Sequence, residues 1–265
     1  MTIAAGFVCA DGIVLAADSK ETYEGEHTYL DKLAMVRTPH CSGAVAGAGD
    51  ADVLEYVTTR IEQLLEQTRG NNDDLQKRLQ ELLTAIYGGT ALAAFPASKP
   101  EELRTYFLVA ARLGNGPPAL FLATSSLVTR IESGARLIGS GIMRQTADEL
   151  ARIPMDVSKG SGAALYLVHE TKRRNNFVGG LTHIFRLYND GRAEDDRTWD
   201  QATRETLLDN LREAYHWMIV ACSDPGVSTK EFTGQMKRIS QTASKIHRAF
   251  VKAERDFENW KANMH

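Results

Sequence analysis

The sequence predicts an α+β fold in which two packed antiparallel sheets are flanked by helices, followed by a helical C-terminal extension. Three observations carry this. Strand and helix signals arrive in blocks (strands, two helices, strands, two helices, strand), not in the alternation of a parallel α/β sheet. The first strands, Ile3–Cys9 and Ile13–Ala17, are nearly all apolar and turn at Asp11-Gly12, as a largely buried hairpin does. Beyond Arg197 only helical periodicity remains.

The elements follow in order. Lys20–Tyr29 is polar and reads as extended or looped chain. Leu33–Arg37 and Gly43–Ala48 form a second strand pair, turned at Thr38-Pro39-His40. From Asp50 the apolar residues Val53, Leu54, Val57, Ile61, Leu64 and Leu65 recur at three and four, which is a helix that Asp50 or Asp52 caps. Gly70-Asn71-Asn72 ends it. Leu75, Leu79, Leu82, Leu83 and Ile86 mark a second helix. Tyr106–Leu113, Ala119–Thr124 and Leu127–Glu132 are strands. A helix carrying Ile142, Met143, Ala147, Leu150 and Ile153 follows Gly139-Ser140-Gly141. Another covers roughly Gly162–Arg173, and Thr182–Tyr188 is a strand ending at Asn189-Asp190-Gly191.

This organisation divides the chain into residues 1–197 and a helical hairpin over 198–265. Thr198 and Gln201, then Ser228 and Glu231, take capping-box spacing at the starts of the two final helices. The last helix repeats Phe232, Met236, Ile239, Ala243, Ile246, Phe250, Ala253, Phe257 and Trp260 in alternating steps of four and three. Leu207, Leu211, Ala214, Met218 and Cys222 of the preceding helix can cover part of that seam. The remainder is expected to meet the domain's own layers or a neighbouring subunit.

Composition narrows the function. The chain has 265 residues, 43% hydrophobic and 25% charged, which suits one large domain or one domain with an elaboration. A formal net charge of −3 argues against nucleic acid as a partner. Cys9, Cys41 and Cys222 make an odd count without metal-type pairing, which fits a reducing cytoplasmic compartment. Asp11 and Asp18 interrupt the N-terminal apolar run, so it is not read as a signal peptide, and no apolar run is long enough to span a bilayer. The histidines show no ligand spacing, no metal or P-loop signature is present, and no cofactor is implied.

The chemistry concentrates at the N-terminus. Removal of Met1 would leave Thr2 with a hydroxyl and a free α-amine, a nucleophile and its base in one residue. Small residues often follow a start Met for no catalytic reason, so the residues behind Thr2 decide its weight. Asp11-Gly12-Ile13-Val14-Leu15-Ala16-Ala17-Asp18-Ser19, then Asp31-Lys32-Leu33, Ala46-Gly47-Ala48-Gly49-Asp50-Ala51-Asp52 and Ile138-Gly139-Ser140-Gly141 stand in a fixed order. Together with Thr2 they resemble the proteasome β-subunits and their bacterial relatives among the N-terminal nucleophile hydrolases. The resemblance runs from about Thr2 to Tyr188.

The resemblance implies a four-layer αββα sandwich and a set of roles. Thr2 is the implied nucleophile, with its own amine as general base; an unperturbed amine has a pKa of about 7.7–8.0. Lys32 is the cation beside it, and Asp18 the carboxylate that keeps Lys32 charged. Gly49 supplies the oxyanion-hole N–H, with Gly47 as the alternative one step earlier; such a donor is worth roughly 10²–10³ in rate. Ser140 lies near the amine, Ser19 and Asn175 support the site from behind, and the backbone of Thr22 and Ala51 holds substrate as an added strand. Each residue also has a plain reading: a turn aspartate, a solvated lysine, a degenerate dinucleotide loop at Gly47–Asp52. The missing third glycine and the absence of βαβ order weigh against that last one.

Two departures stand out. In Arg174-Asn175-Asn176-Phe177-Val178-Gly179-Gly180, Asn175 and Val178 occupy positions where the family carries an aspartate and a serine. The extension after Thr198 is the other. The leading expectation is a threonine-type peptidase or amide hydrolase in a self-compartmentalising homo-oligomer, acting on polypeptide and fed by an ATP-dependent unfoldase. An inactive assembly subunit of the same fold, or a small-molecule amidohydrolase, are the alternatives.

Overall fold

The computed structural model describes residues 2–23, 26–29, 32–88, 105–125, 127–196, 199–223, 226 and 228–262; the side chains of 21–29 lie outside that description. The chain forms two compact units, Met1–Arg197 and Thr198–His265.

The first unit is built on two five-stranded antiparallel sheets. β1 (Ile3–Cys9) and β2 (Gly12–Asp18) form the expected hairpin, closing at Cys9 opposite Gly12. They are flanked by β10 (Gly134–Gly139) and by β11 (Thr182–Tyr188) with β12 (Ala193–Asp196), in the order β10-β1-β2-β11-β12. The second sheet runs β5 (Leu33–Arg37), β6 (Cys41–Ala48), β7 (Tyr106–Leu113), β8 (Ala119–Thr124) and β9 (Val128–Ile131). Lys20–Tyr29, read as extended or looped, is a separate hairpin of β3 (Lys20–Tyr23) and β4 (Glu26–Tyr29).

Between the sheets lie Ala4, Leu15, Ala17, Ala44, Ala46, Leu108, Ala110, Leu120, Phe185 and Leu187. Alternation along each strand sends these residues inward and their neighbours outward. The outer face of the second sheet, through Val45, Phe107, Val109 and Phe121, buries α1 (Ala51–Gln67) and α2 (Asn72–Gly88). Val53, Val57, Ile61 and Leu65 of α1 sit on one face at helical spacing and are wholly buried. α4 (Val157–Arg174) packs over β1, β2 and β11. The layers are therefore helix, sheet, sheet, helix: the four-layer αββα sandwich.

Four elements differ from expectation, each for a physical reason. β10 was not foreseen because its buried residues, Ala135 and Ile138, stand three apart and break the two-residue period of a strand. β12 was missed because Ala-Glu-Asp-Asp carries no apolar pattern. Charge holds it: Arg186 of β11 reaches Glu194 at 3.4 Å and Asp196 at 3.2 Å. α3 is only Arg144–Leu150, and Ile142 and Ile153 lie outside it and exposed, so they never joined an apolar stripe. α4 begins earlier than expected, at Val157, because Asp156 accepts the Lys159 N–H at 2.8 Å and caps it there.

The second unit packs α5 (Trp199–Ser223) against α6 (Thr229–Ala262). The capping box at α6 is formed: Ser228 Oγ accepts the Glu231 N–H at 3.3 Å and Glu231 accepts the Ser228 N–H at 3.1 Å. Thr198 lies outside the described residues. Along the seam, Phe232, Met236, Ile239 and Ala243 are half-buried and Ile246 is buried, whereas Leu211 of α5, expected to cover it, is exposed.

At α1 the structure chooses between the two candidate caps. Asp50 accepts the Val53 N–H at 3.2 Å, and Asp52 sits inside the first turn. Asp50→Ala should therefore cost about 1 kcal/mol, or about 2–4 °C in Tm for a unit of this size. Asp52→Ala, losing only a dipole contact, should cost about 0.3–1 kcal/mol. Thermal denaturation of the two variants checks the order; a larger loss in Asp52→Ala would place the cap at Asp52.

Candidate active site

The site forms where several strand ends meet. β1 begins where β2 ends: Ala4 pairs with Ala17. β10 ends there too, with Gly139 opposite Ile3, and β11 starts there, with Thr182 opposite Asp18.

Thr2 precedes β1 and is 7% exposed. Its peptide link to Ile3 is held from both sides. The Thr2 carbonyl accepts the Ser140 N–H at 2.9 Å, and the Ile3 N–H donates to Asp18 Oδ1 at 3.0 Å. Gly139 makes this approach possible. Its φ is +84°, and a Cβ there would stand 1.9 Å from the Thr2 carbonyl oxygen. Any side chain at 139 would push Thr2 out of place.

Asp18 is fully buried. Lys32 Nζ lies 3.1 Å from both of its carboxylate oxygens and also donates to the Lys20 carbonyl. Oδ2 accepts the Gly179 N–H at 3.2 Å. The buried carboxylate is thus paired and both its oxygens are engaged, as a group withdrawn from water requires.

Ser140 is buried, and Asn175 Nδ2 donates to its Oγ at 3.3 Å. Ser19 is buried; its Oγ accepts the Leu181 N–H at 2.9 Å and its N–H donates to the Gly179 carbonyl at 3.2 Å. Hydrogen bonds thus bring together Thr2, Asp18, Ser19, Lys32, Ser140 and Asn175. Gly49 follows β6 with φ +151°, just before the Asp50 cap. Its neighbour Ala48 comes within 3.3 Å of where a Gly139 Cβ would stand, so this strand end lies beside Thr2. Gly47 is different: a Cβ on it would strike Leu54 of α1 at 2.7 Å and Phe107 at 3.0 Å. That is a packing position under the helix layer. Ala51 is the exposed first residue of α1, and Thr22 pairs with His27 inside the β3–β4 hairpin. Among the described residues no hydrogen bond ties either of these two to Thr2.

Competing chemistries find little support. Burial pushes the Cys9 thiol up to about 12 and the Cys41 thiol up to about 11, so neither is a ready thiolate nucleophile. Burial also pushes His183 below the usual imidazole range, a shift that Asp195 opposes, Lys172 reinforces and Asp18 opposes. Among the described residues no group of three His, Cys, Asp or Glu side chains is placed to hold a metal ion. No described helix is long and apolar enough to cross a membrane.

Sequence reasoning missed Gly179, Lys20 and Lys172, and did not single out Gly139. Gly139 and Gly179 lie inside runs whose signal comes from their neighbours. The Lys20 carbonyl and the Gly179 N–H are backbone groups, which leave no residue-type signature.

No protein-family model matches the chain, and no curated protein matches it. Solved structures do. The chain is similar to the helical assembly of the Anbu complex from Pseudomonas aeruginosa, with TM-score 0.71 and 18% identity over 86% of this chain and 99% of that one. It is similar to Anbu from Yersinia bercovieri, described as an ancestral beta-subunit, with TM-score 0.68 and 12% identity over 85% and 99%. A Gly-1 mutant of Anbu from Hyphomicrobium sp. strain MC1 gives TM-score 0.65 and 18% identity over 82% and 97%. At such identities the likeness establishes the fold alone, the αββα sandwich that this chain shares with the Anbu structures. The resemblance read from the sequence is borne out at that level.

The Asp18–Lys32 pair should behave as a coupled unit. Asp18→Asn strands a partly buried ammonium, and Lys32→Met strands a buried carboxylate; each should cost about 3–5 kcal/mol. The double variant should lose clearly less than the sum of the two, because neither partner is then left alone. Denaturant unfolding of all four proteins measures the coupling, and strict additivity would show that the two side chains act independently.

Proposed function

We propose that this chain is a threonine-type amide hydrolase of the proteasome-related kind, with Thr2, freed by removal of Met1, as nucleophile. The observation that carries the reading is the Thr2–Ile3 peptide, fixed between Ser140 and Asp18 while Asp18 holds Lys32 in a buried ion pair. A nucleophile fixed through its own backbone does not depend on a flexible side-chain partner.

The mechanism follows from these groups. The free α-amine takes the Oγ1 proton as the oxygen attacks the amide carbon. The Lys32 charge disfavours protonation of the resting amine and stabilises the developing alkoxide. The Gly49 N–H receives the oxyanion. The amine returns its proton to the leaving nitrogen as the C–N bond breaks, leaving an ester on Thr2. Water, deprotonated by the same amine, then cleaves the ester and restores the hydroxyl.

The substrate class is polypeptide, held as an added strand through Thr22 and Ala51. The expected setting is the cytoplasm, in a homo-oligomer that encloses its sites, with an ATP-dependent unfoldase as candidate partner. The similar structure from Pseudomonas aeruginosa is a helical assembly of the Anbu complex. Here, Leu211, Tyr215 and Ile219 of α5 stand four residues apart and are 40%, 54% and 45% exposed, an apolar stripe suited to a subunit contact. A second reading, an inactive assembly subunit, is favoured by Asn175 and Val178 at the altered positions.

Two experiments test these points. Mass mapping after treatment with a peptide epoxyketone, which captures the hydroxyl and amine of an N-terminal threonine together, should find the adduct on Thr2. Thr2→Ala should abolish both adduct and peptide hydrolysis without changing the fold; hydrolysis that survives in this variant rules the mechanism out. A retained Met1 with no adduct would favour the inactive subunit. Separately, truncation before Ser228 should lower the particle mass in light scattering. A particle of unchanged mass and thermal stability would make the hairpin a dispensable appendage.

A further inference from the structure

The segment from Asn175 to Leu181 touches the site at several points, yet little of it is buried. Phe177 is 56% exposed and Leu181 45% exposed; Val178, at 3%, is its apolar anchor. Its backbone must therefore be fixed by polar contacts. Several lead into the site. Asn175 Nδ2 reaches Ser140 at 3.3 Å, the Gly179 N–H reaches Asp18 at 3.2 Å, and the Leu181 N–H reaches Ser19 at 2.9 Å. Lys20 Nζ holds the Asn176 carbonyl at 2.7 Å.

One contact enters from the other side. Lys172 lies in the last turn of α4, where a cation ordinarily serves the carbonyls of its own helix. Its Nζ donates to the Gly180 carbonyl at 2.6 Å and to Thr182 Oγ1 at 2.7 Å, eight and ten residues further on. Thr182 is fully buried and opens β11 opposite Asp18. The ammonium therefore ties the helix end to the point where the loop re-enters the sheet. Both ends of the segment become fixed to rigid elements: one by α4 itself, the other by Lys172.

We infer that Lys172 is a positioning residue of the site. Resting on the proposed chemistry of Thr2, it fixes the 175–181 segment so that Gly179 meets Asp18 and Asn175 meets Ser140. Charge-assisted donation to a carbonyl and a hydroxyl is the strong form of this contact. The position complements the loop's departures. Where Val178 offers no polar anchor of its own, a lysine from the helix supplies one.

The test uses the full-length protein with Lys172→Met, Lys172→Arg and Thr182→Val. Hydrogen exchange reads the clamp without reference to activity. In Lys172→Met the amides of 176–182 should exchange at least about tenfold faster, while β1, β2 and the rest of β11 keep the parent's protection. Thr182→Val, which removes one acceptor and keeps the charge, should fall between. Lys172→Arg should lie nearer the parent. The epoxyketone reaction at Thr2 should slow by about tenfold in Lys172→Met and recover in part in Lys172→Arg. Unchanged exchange overturns the clamp. Faster exchange with an unchanged reaction rate overturns the positioning role. If the parent itself gives no adduct, the functional reading of Thr2 fails and the positioning role falls with it, whatever the exchange shows.

Discussion

The carboxylate of Asp18 is the group on which the site depends. It is fully buried, and four contacts neutralise it: Ile3 N–H, Gly179 N–H and both approaches of Lys32. These come from β1, from the 175–181 segment and from the start of β5. A buried carboxylate left without such donors is costly to keep away from water. The requirement is therefore mutual. Asp18 is accommodated in the interior because three separate pieces of chain deliver donors, and those pieces keep their places because Asp18 needs them. Lys32 is bound to the same logic, with the Lys20 carbonyl as a further acceptor.

The sandwich supplies this convergence without any special device. In antiparallel pairs the start of one strand lies beside the end of the next. β1 and β11 start, and β2 and β10 end, at a single edge of one sheet. The end of β6 in the other sheet meets that edge at Gly139. Strand interiors are committed to ladders and core packing. Strand ends have spare backbone groups and side chains free of the pleat, so chemistry collects there. The opposite end of the hairpin carries the Asp11-Gly12 turn, where Asp11 accepts the Val157 N–H at 2.7 Å and secures α4 instead.

How much was legible in the sequence follows from what each feature is made of. Thr2 stood out in the sequence as a hydroxyl residue behind Met1, and Asp18 and Lys32 only through the resemblance of the runs around them; the structure pairs Asp18 with Lys32 beside the Thr2–Ile3 peptide. The α1, α2 and central strand assignments rest on periodicity alone and stand. β12 was illegible because Arg186, Glu194 and Asp196 replace apolar patterning with charge pairing across strands. β10 was illegible because its buried residues do not alternate. The contacts joining residues 18–20 to 179–181 span roughly 160 positions and are largely backbone. No local pattern encodes such a pairing. Only the closed sheet reveals it.

The altered loop has a consequence that residue types alone do not disclose. Asn175 Oδ1 accepts the Phe177 N–H at 3.0 Å, which fixes the orientation of the amide and turns Nδ2 toward Ser140. Ser140 Oγ is therefore an acceptor in this bond, and its proton is free to be donated elsewhere. A carboxylate at 175 would demand the reverse, since it can only accept. In the proposed chemistry this matters for the amine of Thr2. An ionised neighbour favours a protonated amine, which is no base. A neutral amide, with a serine whose proton remains available, favours the unprotonated amine that can take the Oγ1 proton. Asn175 thus keeps the connection to Ser140 while removing a charge that works against the base. On this argument the asparagine is compatible with the proposed chemistry as well as with the inactive reading.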